Sequence, residues 1–337
     1  MARDFGLLVL GGTSWLGGAV AAEAVGRGHD VTCLARGESG SVPEGARHVR
    51  ADRWSSTAYG EVQMRAWDAV VDVSRQPDLV DSALAALASR SRHWVYVSSI
   101  SVYADHSTPD ADESAELVGP WTGSGEAGQE EYAGAKVSCE TRCREAVDPH
   151  HLLIARAGLI VGYGDRSDRF GYWPGRFALA ADGGPVLAPP ADQPVQVIDV
   201  LDLAGWLVDS AEHGTAGTFD VVGDQLHFRD VASACVRASG LDPVLVQPGE
   251  AWLSDAGVSP WAGPESLPLW LPRGQYRGMV TRSGARARRA GLSCRSLFES
   301  VSDSLRWEEE LGLVRTRLAG LTRAREQELL ARVGVGC

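Results

Sequence analysis

Residues 8–18 read LVLGGTSWLGG, an apolar run that ends in two glycines and then turns into small residues of helical character. A strand that enters a helix through glycine leaves the backbone N–H groups of the turn, and the positive end of the helix dipole, facing whatever sits at the strand's tip. Such a tip suits a phosphate. Gly11, Gly12, Gly17 and Gly18 stand where a phosphate would meet backbone, with Thr13, Ser14, Trp15 and Leu16 as the contacts between them. The spacing is not G-x-G-x-x-G, because Ser14 occupies a place where many dinucleotide folds carry glycine. A tight turn with no ligand is the plain alternative. It is outweighed by a helix over 16–27 and a second strand over 30–35, both at the distances a dinucleotide-binding unit requires.

Working outward, short apolar runs at 5–10, 30–35, 47–51, 69–73, 94–98 and 152–161 alternate with helical stretches at 16–27, 79–89 and 130–146. Alternation of this kind marks a parallel sheet covered on both faces. The fold class is therefore α/β: a Rossmann-type doubly wound parallel sheet over 1–160, rejoined by roughly 195–222, with a smaller C-terminal substrate-binding part from 161–194 and 223–337. Residues 104–129 read as a long acidic loop, of the kind that serves as a lid or stays mobile. Residues 165–194 read as loop, 195–198 as strand, 201–212 as helix, and 297–333 as charged helix. Trp252, Trp261 and Trp270 punctuate a Pro-rich stretch that cannot be one regular element.

The 337 residues carry a formal net charge of -12, which argues against binding nucleic-acid backbones. Arg286, Arg288 and Arg289 form one short basic cluster, explained by a solvated helix face. The first residues hold too short an apolar stretch for a signal peptide, and no run of about 18 apolar residues occurs. A soluble, cytoplasmic protein with a small-molecule substrate and no membrane partner is expected. Six cysteines (Cys33, Cys139, Cys143, Cys235, Cys294, Cys337) lack C-x-x-C spacing, so reduced structural thiols and no metal site are expected.

The second strand ends at Leu34, Ala35 and Arg36, where an NAD site usually places an acid against the ribose. Ala35 leaves that acid missing. A guanidinium offers a fork of donors to a 2'-phosphate, so Arg36 favours NADP(H) over NAD(H), unless it is simply a solvated surface arginine. NAD(H) stays possible. Asp52 either contacts the adenine or caps the next helix. Val73, Ser74, Ala157 and Leu159, near the ends of the fourth and sixth strands, complete the expected cofactor contacts.

Tyr132 and Lys136, in EEYAGAK, stand four apart, so on a helix they share a face. A cation beside a phenol favours the phenolate, which suits Tyr132 to proton exchange near neutral pH.

These residues resemble the extended short-chain dehydrogenase/reductase superfamily, also labelled NAD-dependent epimerase/dehydratase. The resemblance rests on GGTSWLG, YVSSISVY, YAGAK, RAGLIVG and VIDVLDLAGWL, in that order over roughly two thirds of the chain. It implies Ser99 as catalytic serine, Tyr132 as acid/base and Lys136 as a holder of the nicotinamide ribose. It also implies a homodimer through the helix bearing Tyr132. Two departures bear on function. Dehydratases of this superfamily carry an acidic pair after the catalytic Ser or Thr, whereas Ile100 and Ser101 follow Ser99, which speaks against dehydration. Ser14 in place of the middle glycine looks like an atypical branch that includes reductases and plant-type RNA-binding relatives.

On the substrate side, Ser101, Tyr103, Arg169, Tyr172, Trp173, Trp261 and Trp270 are the candidates, with Phe170 and Arg176 beside them. The aromatics suit a planar or apolar pocket in which one arginine orients a polar group, or else they plug a core. Asp199 reads most simply as a helix cap. The expected activity is NADPH-dependent reduction of a carbonyl or imine in a small metabolite, a biosynthetic intermediate. Two alternatives stand beside it: a sugar-nucleotide epimerase with tightly held cofactor, and a non-catalytic nucleotide-sensing or RNA-binding protein.

Overall fold

The structure is a computed structural model that describes residues 5–334, so Cys337 lies outside the described residues. β1 (Gly6–Leu10) is buried at every position, as a parallel strand covered on both faces must be. It is followed by β2 (Asp30–Ala35), β3 (Arg47–Arg50), β4 (Ala69–Asp72), β5 (Trp94–Ser99) and β6 (Leu152–Ala157). With the strand Gly217–Val221 these form one seven-stranded sheet in the order Gly217–Val221, β6, β5, β4, β1, β2, β3. Every pair in it is parallel.

Helices cover both faces. α1 (Trp15–Gly26) and the helix Val200–His213 pack on one face through Val20, Ala24, Leu203 and Leu207. α2 (Pro77–Leu87) and α3 (Tyr132–Ala146) pack on the other through Val80, Leu84, Cys139 and Cys143. This is the Rossmann-type doubly wound fold. The winding reverses between β1 and β4, and ligands of such folds enter at the carboxyl ends of the strands there.

The stretch 152–161 is two strands rather than one. Gly158 interrupts it: its N–H donates to the Val221 carbonyl at 3.1 Å, and a Cβ there would lie 3.0 Å from Val222 Cγ1. Beyond it Leu159–Val161 leaves the large sheet and pairs with Pro194–Asp199, itself joined antiparallel by Gln225–His227. The stretch 165–194 is not all loop. It holds the helix Tyr172–Ala178, whose sequence YWPGRFA has poor helix propensity, and the strand Pro185–Leu187. Burial of Trp173 and Phe177 in a third core with Phe228, Trp270 and Leu329 overrides that propensity. The charged tail divides into Leu297–Leu311 and Arg323–Val333, the first ending at Gly312.

The acidic stretch 104–129 has no helix, but it is tied down. Ala127 and Gln76 exchange two hydrogen bonds, Gly125 donates to Asp78, and Arg282 donates to the Asp112 carbonyl. Cys33, Cys139, Cys143, Cys235 and Cys294 are free thiols, the first four buried. No helix among the described residues is long and apolar enough to cross a membrane.

Candidate active site

The glycine head is built tightly. Ser14 caps α1: its Oγ donates to the Gly11 carbonyl at 2.7 Å and accepts from the Gly17 N–H at 3.2 Å. The Gly18 N–H donates to the Ser14 carbonyl. Of the four N–H groups that a helix start leaves over, those of Trp15 and Leu16 then remain for an outside acceptor. A Cβ on Gly17 would sit 2.2 Å from the Gly11 oxygen, so no larger residue fits this turn. Ser14 thus stands at the glycine position of related heads without blocking the approach, because its side chain folds back onto the turn.

A hollow of about 230 Å³ opens beside the head. It is lined by Gly11, Thr13 and Ser14, by Arg36 and Glu38 after β2, by Asp52 to Trp54 after β3, and by Val73 and Ser74 after β4. Arg36 is exposed at its rim and pairs with Glu38, Nε to Oε2 at 3.2 Å. Asp52 accepts from the Trp54 N–H in a turn rather than capping a helix. Arg53 closes the floor, gripping Asp72 of β4 with two hydrogen bonds of 2.9 and 2.8 Å. Trp54, 44% exposed, offers a planar face at the edge.

Val73 also borders a larger cleft of about 910 Å³ over the ends of β5 and β6. Ser99, Ser101, Tyr132 and Lys136 all line it, with Leu16, Trp15, Ala157 and Leu159. β5 delivers Ser99 as its last residue, and Ser99 Oγ donates to Ser101 Oγ at 3.1 Å. Its neighbour Ser98 points the other way and donates to buried Glu140 at 2.6 Å. α3 begins at Tyr132, half-buried, and one turn later presents Lys136, 4% exposed. The Lys136 ammonium donates to the carbonyls of Val97 at 2.6 Å and Ser74 at 2.9 Å, and stands 4.9 Å from the Tyr96 ring centroid. Two of its three donors are thereby committed to backbone, which fixes the head group between β4 and β5.

The far wall comes from the C-terminal part. Arg169 lies with its guanidinium 5.5 Å from the Trp261 ring centroid, and its Nε donates to Ser167 at 3.2 Å. Burial holds its pKa below the ordinary arginine value, while Asp165 and Tyr132 pull the other way. Burial likewise raises the Asp165 carboxyl, against the hydrogen bonds from Ser167. A half-buried arginine with no carboxylate among its hydrogen-bond partners in the described residues suits an anionic or strongly polar group of a ligand.

Four of the expected substrate residues lie elsewhere. Tyr103 is 1% exposed, with the Arg282 guanidinium 3.5 Å from its ring centroid; its hydroxyl donates to Asp220 at 2.6 Å and accepts from Arg156 at 2.8 Å. Trp173 is fully buried, with its indole N–H on the Pro268 carbonyl. Tyr172 and Trp270 are buried with it in the third core, where large aromatics fill volume between helices. Asp199 caps the helix Val200–His213, accepting from the Leu201 N–H and the Ser300 hydroxyl. Glu38, Arg53, Trp54, Gln129, Asp165 and Met279 also line the two spaces and carry no motif of their own.

No family model matches the chain, and no curated protein matches its sequence. Solved structures do. A UDP-N-acetylglucosamine 4-epimerase from Bacillus cereus superposes with a TM-score of 0.65 at 16% identity, over 94% of this chain and 100% of that one. The chain shares its fold. A nucleoside-diphosphate-sugar epimerase from Pseudomonas aeruginosa gives 0.64 at 17% identity, over 92% and 99%. The Bordetella bronchiseptica enzyme WbmH, solved in complex with NAD+, gives 0.64 at 15% identity, over 91% and 99%.

Proposed function

We propose that the chain is a nicotinamide-dependent oxidoreductase of the extended short-chain dehydrogenase/reductase type, which uses NADPH to reduce a carbonyl or imine in a small metabolite. One observation carries the reading: Ser99 from the end of β5, and Tyr132 and Lys136 from α3, line one cleft that meets the hollow beside the glycine head at Val73. The residues present fit a dinucleotide. Gly17 lets the turn close tightly on Gly11, the Trp15 and Leu16 amides are there for a pyrophosphate, and Arg36 is at hand for a 2'-phosphate.

When bound, the nicotinamide supplies the hydride that the substrate carbon accepts. Tyr132 gives its phenolic proton to the substrate oxygen or nitrogen as that atom gains charge, and Ser99 Oγ donates a hydrogen bond to the same atom. Lys136, anchored on Val97 and Ser74, holds the ribose. Arg169, over Trp261, orients a polar or anionic part of the substrate. The protein acts on a small molecule, without nucleic acid, and a homodimer through α3 belongs to the same reading.

A second reading, epimerisation with tightly held NAD, draws support from two epimerases that share the fold and from WbmH, which shares it too and was solved with NAD+. The two part on a simple measurement. A reductase releases cofactor each turnover, so purified protein is expected to lack nicotinamide and to oxidise added NADPH with members of a ketone, aldehyde and imine panel. Stoichiometric bound nicotinamide, with turnover of nucleotide sugars and no added cofactor, would replace reduction by epimerisation. Failure of both, with wild-type and Tyr132→Phe protein indistinguishable in every assay, would sink the catalytic reading.

A further inference from the structure

Behind the cleft's far wall lies a hollow of about 260 Å³ that shares no lining residue with the cleft. Four arginines line it: Arg176, Arg315, Arg317 and Arg323. Their carboxylate partners are three. Glu326 takes Arg176 at 2.7 Å and Arg323 at 2.6 Å, Glu308 takes Arg315 and Arg317, and Asp168 takes Arg315. Four guanidinium charges against three carboxylates leave one positive charge uncompensated within this group.

The donors are in excess as well. Arg176 Nη1, Arg315 Nε, Arg317 Nε and the Tyr172 hydroxyl are buried without a hydrogen-bond partner among the described residues. Tyr172 is 3% exposed and Arg176 4% exposed, and both side chains line the hollow. A native fold leaves few such groups unsatisfied, because each gives up its hydration with nothing in return. All four atoms are covered by protein, so an acceptor in the hollow completes them as these side chains turn toward it. The helix Arg323–Val333 also begins here, with Thr322 as its cap, so its positive end adds to the field.

We propose that this hollow is a second ligand site, for a compact phosphate-bearing anion, separate from the nicotinamide cleft. Planar guanidinium forks match pairs of phosphate oxygens, and a hydroxyl beside them serves a third. The volume admits a phosphoryl group with a small appendage and not a dinucleotide. The hollow and the cleft share one wall, since Leu318 and Ala319 of the 312–322 loop line the cleft while Arg315, Arg317 and Gly320 line the hollow.

The test uses the full chain with saturating NADPH, so that phosphate sites beside the glycine head are already filled, and titrates inorganic pyrophosphate by calorimetry. A single saturable site is expected, absent in sodium chloride of matched ionic strength. Arg323→Gln, which leaves Glu326 its bonds from Arg176 and the Leu187 N–H, is expected to weaken pyrophosphate binding about tenfold, the loss of one exposed charge-assisted contact. Ser99→Ala is expected to leave that affinity unchanged. Crystals soaked in tungstate are expected to show their anomalous peak among the four arginines. Equal heats in chloride, identical titrations of Arg323→Gln and wild type, or a tungstate peak in the cleft alone would each overturn the site. Binding of citrate without pyrophosphate would overturn the phosphate assignment.

Discussion

Arg36 and Glu38 face each other at the rim of the hollow beside the glycine head, with Arg36 Nε 3.2 Å from Glu38 Oε2. The pair sets two opposite preferences side by side, a cation for a 2'-phosphate and a carboxylate for ribose hydroxyls. Exposed on both sides, it is worth little to stability, so either partner is free to turn to a ligand. Arg36→Ala is expected to weaken NADPH about tenfold and NADH less than about twofold, by loss of a charge-assisted contact made only to the phosphorylated cofactor. Glu38→Gln is expected to shift the ratio the other way. Calorimetric titration with each cofactor measures both, and an unchanged ratio in Arg36→Ala would remove Arg36 from cofactor selection.

Much of this site was legible from local pattern, and what was not has a common cause. The head, β2 and the Tyr132 helix announce themselves through glycine placement, apolar runs and i, i+4 spacing, all of which act over a few residues. Arg53 gives no such signal: its place under the hollow depends on Asp72, 19 residues on in β4. Tyr103 misled for the same reason, since the partners that bury it, Arg156, Asp220 and Arg282, come from three distant segments. The helix Tyr172–Ala178 was hidden by its Pro and Gly, and only the third core explains why it forms. Composition alone cannot say whether an aromatic plugs a core, as Trp173 does, or faces a cleft, as Trp261 does.

On the proposed mechanism Tyr132→Phe removes the proton donor and nothing else. Its hydroxyl makes no structural hydrogen bond among those of the described residues, so the variant is expected to fold as wild type and bind cofactor normally. Turnover in whichever assay reports activity is expected to fall about 10²–10⁴-fold, the usual worth of a positioned acid. Lys136→Met differs, because it strips a donor from the buried Val97 carbonyl as well. It is expected to lower cofactor affinity and thermal stability together. Equal Tm values for Lys136→Met and wild type would contradict the anchoring role.

Glu140, fully buried, is the hub behind the serine strand. It accepts from Ser98 at 2.6 Å, from Arg156 at 2.9 and 2.8 Å, and from Arg144 at 2.9 Å. Burial alone would raise its carboxyl pKa, but the paired hydrogen bonds and charge of Arg156, with Ser98 and Arg144, bring it below the usual value. Removing the charge strands Arg156, itself 2% exposed. Glu140→Gln is expected to cost about 3–5 kcal/mol in urea unfolding, and the double change with Arg156→Met to cost less than the single one. A loss below about 1 kcal/mol in Glu140→Gln would show that Arg156 finds another partner.

His93, just before β5 and 3% exposed, makes stability depend on pH in a direction that can be worked out. Burial lowers its pKa from 6.5 to about 4, with His151 adding to the effect and the Thr215 backbone opposing it. Between those values the unfolded chain binds a proton at this residue and the folded chain does not. Stability therefore rises with pH across the window, and acidification from above 6.5 toward 4 withdraws roughly 3 kcal/mol through this one ring. His93→Phe, which keeps an apolar ring in the space, is expected to flatten that part of the profile in urea unfolding measured at steps between pH 4.5 and 7. The acid arm then left in the variant belongs to carboxylates held below their ordinary values, Glu140 among them, whose contribution is lost as pH falls through the folded-state pKa. If the variant and wild type lose stability in parallel down to pH 4.5, His93 is protonated in the folded state and its burial is relieved by local opening.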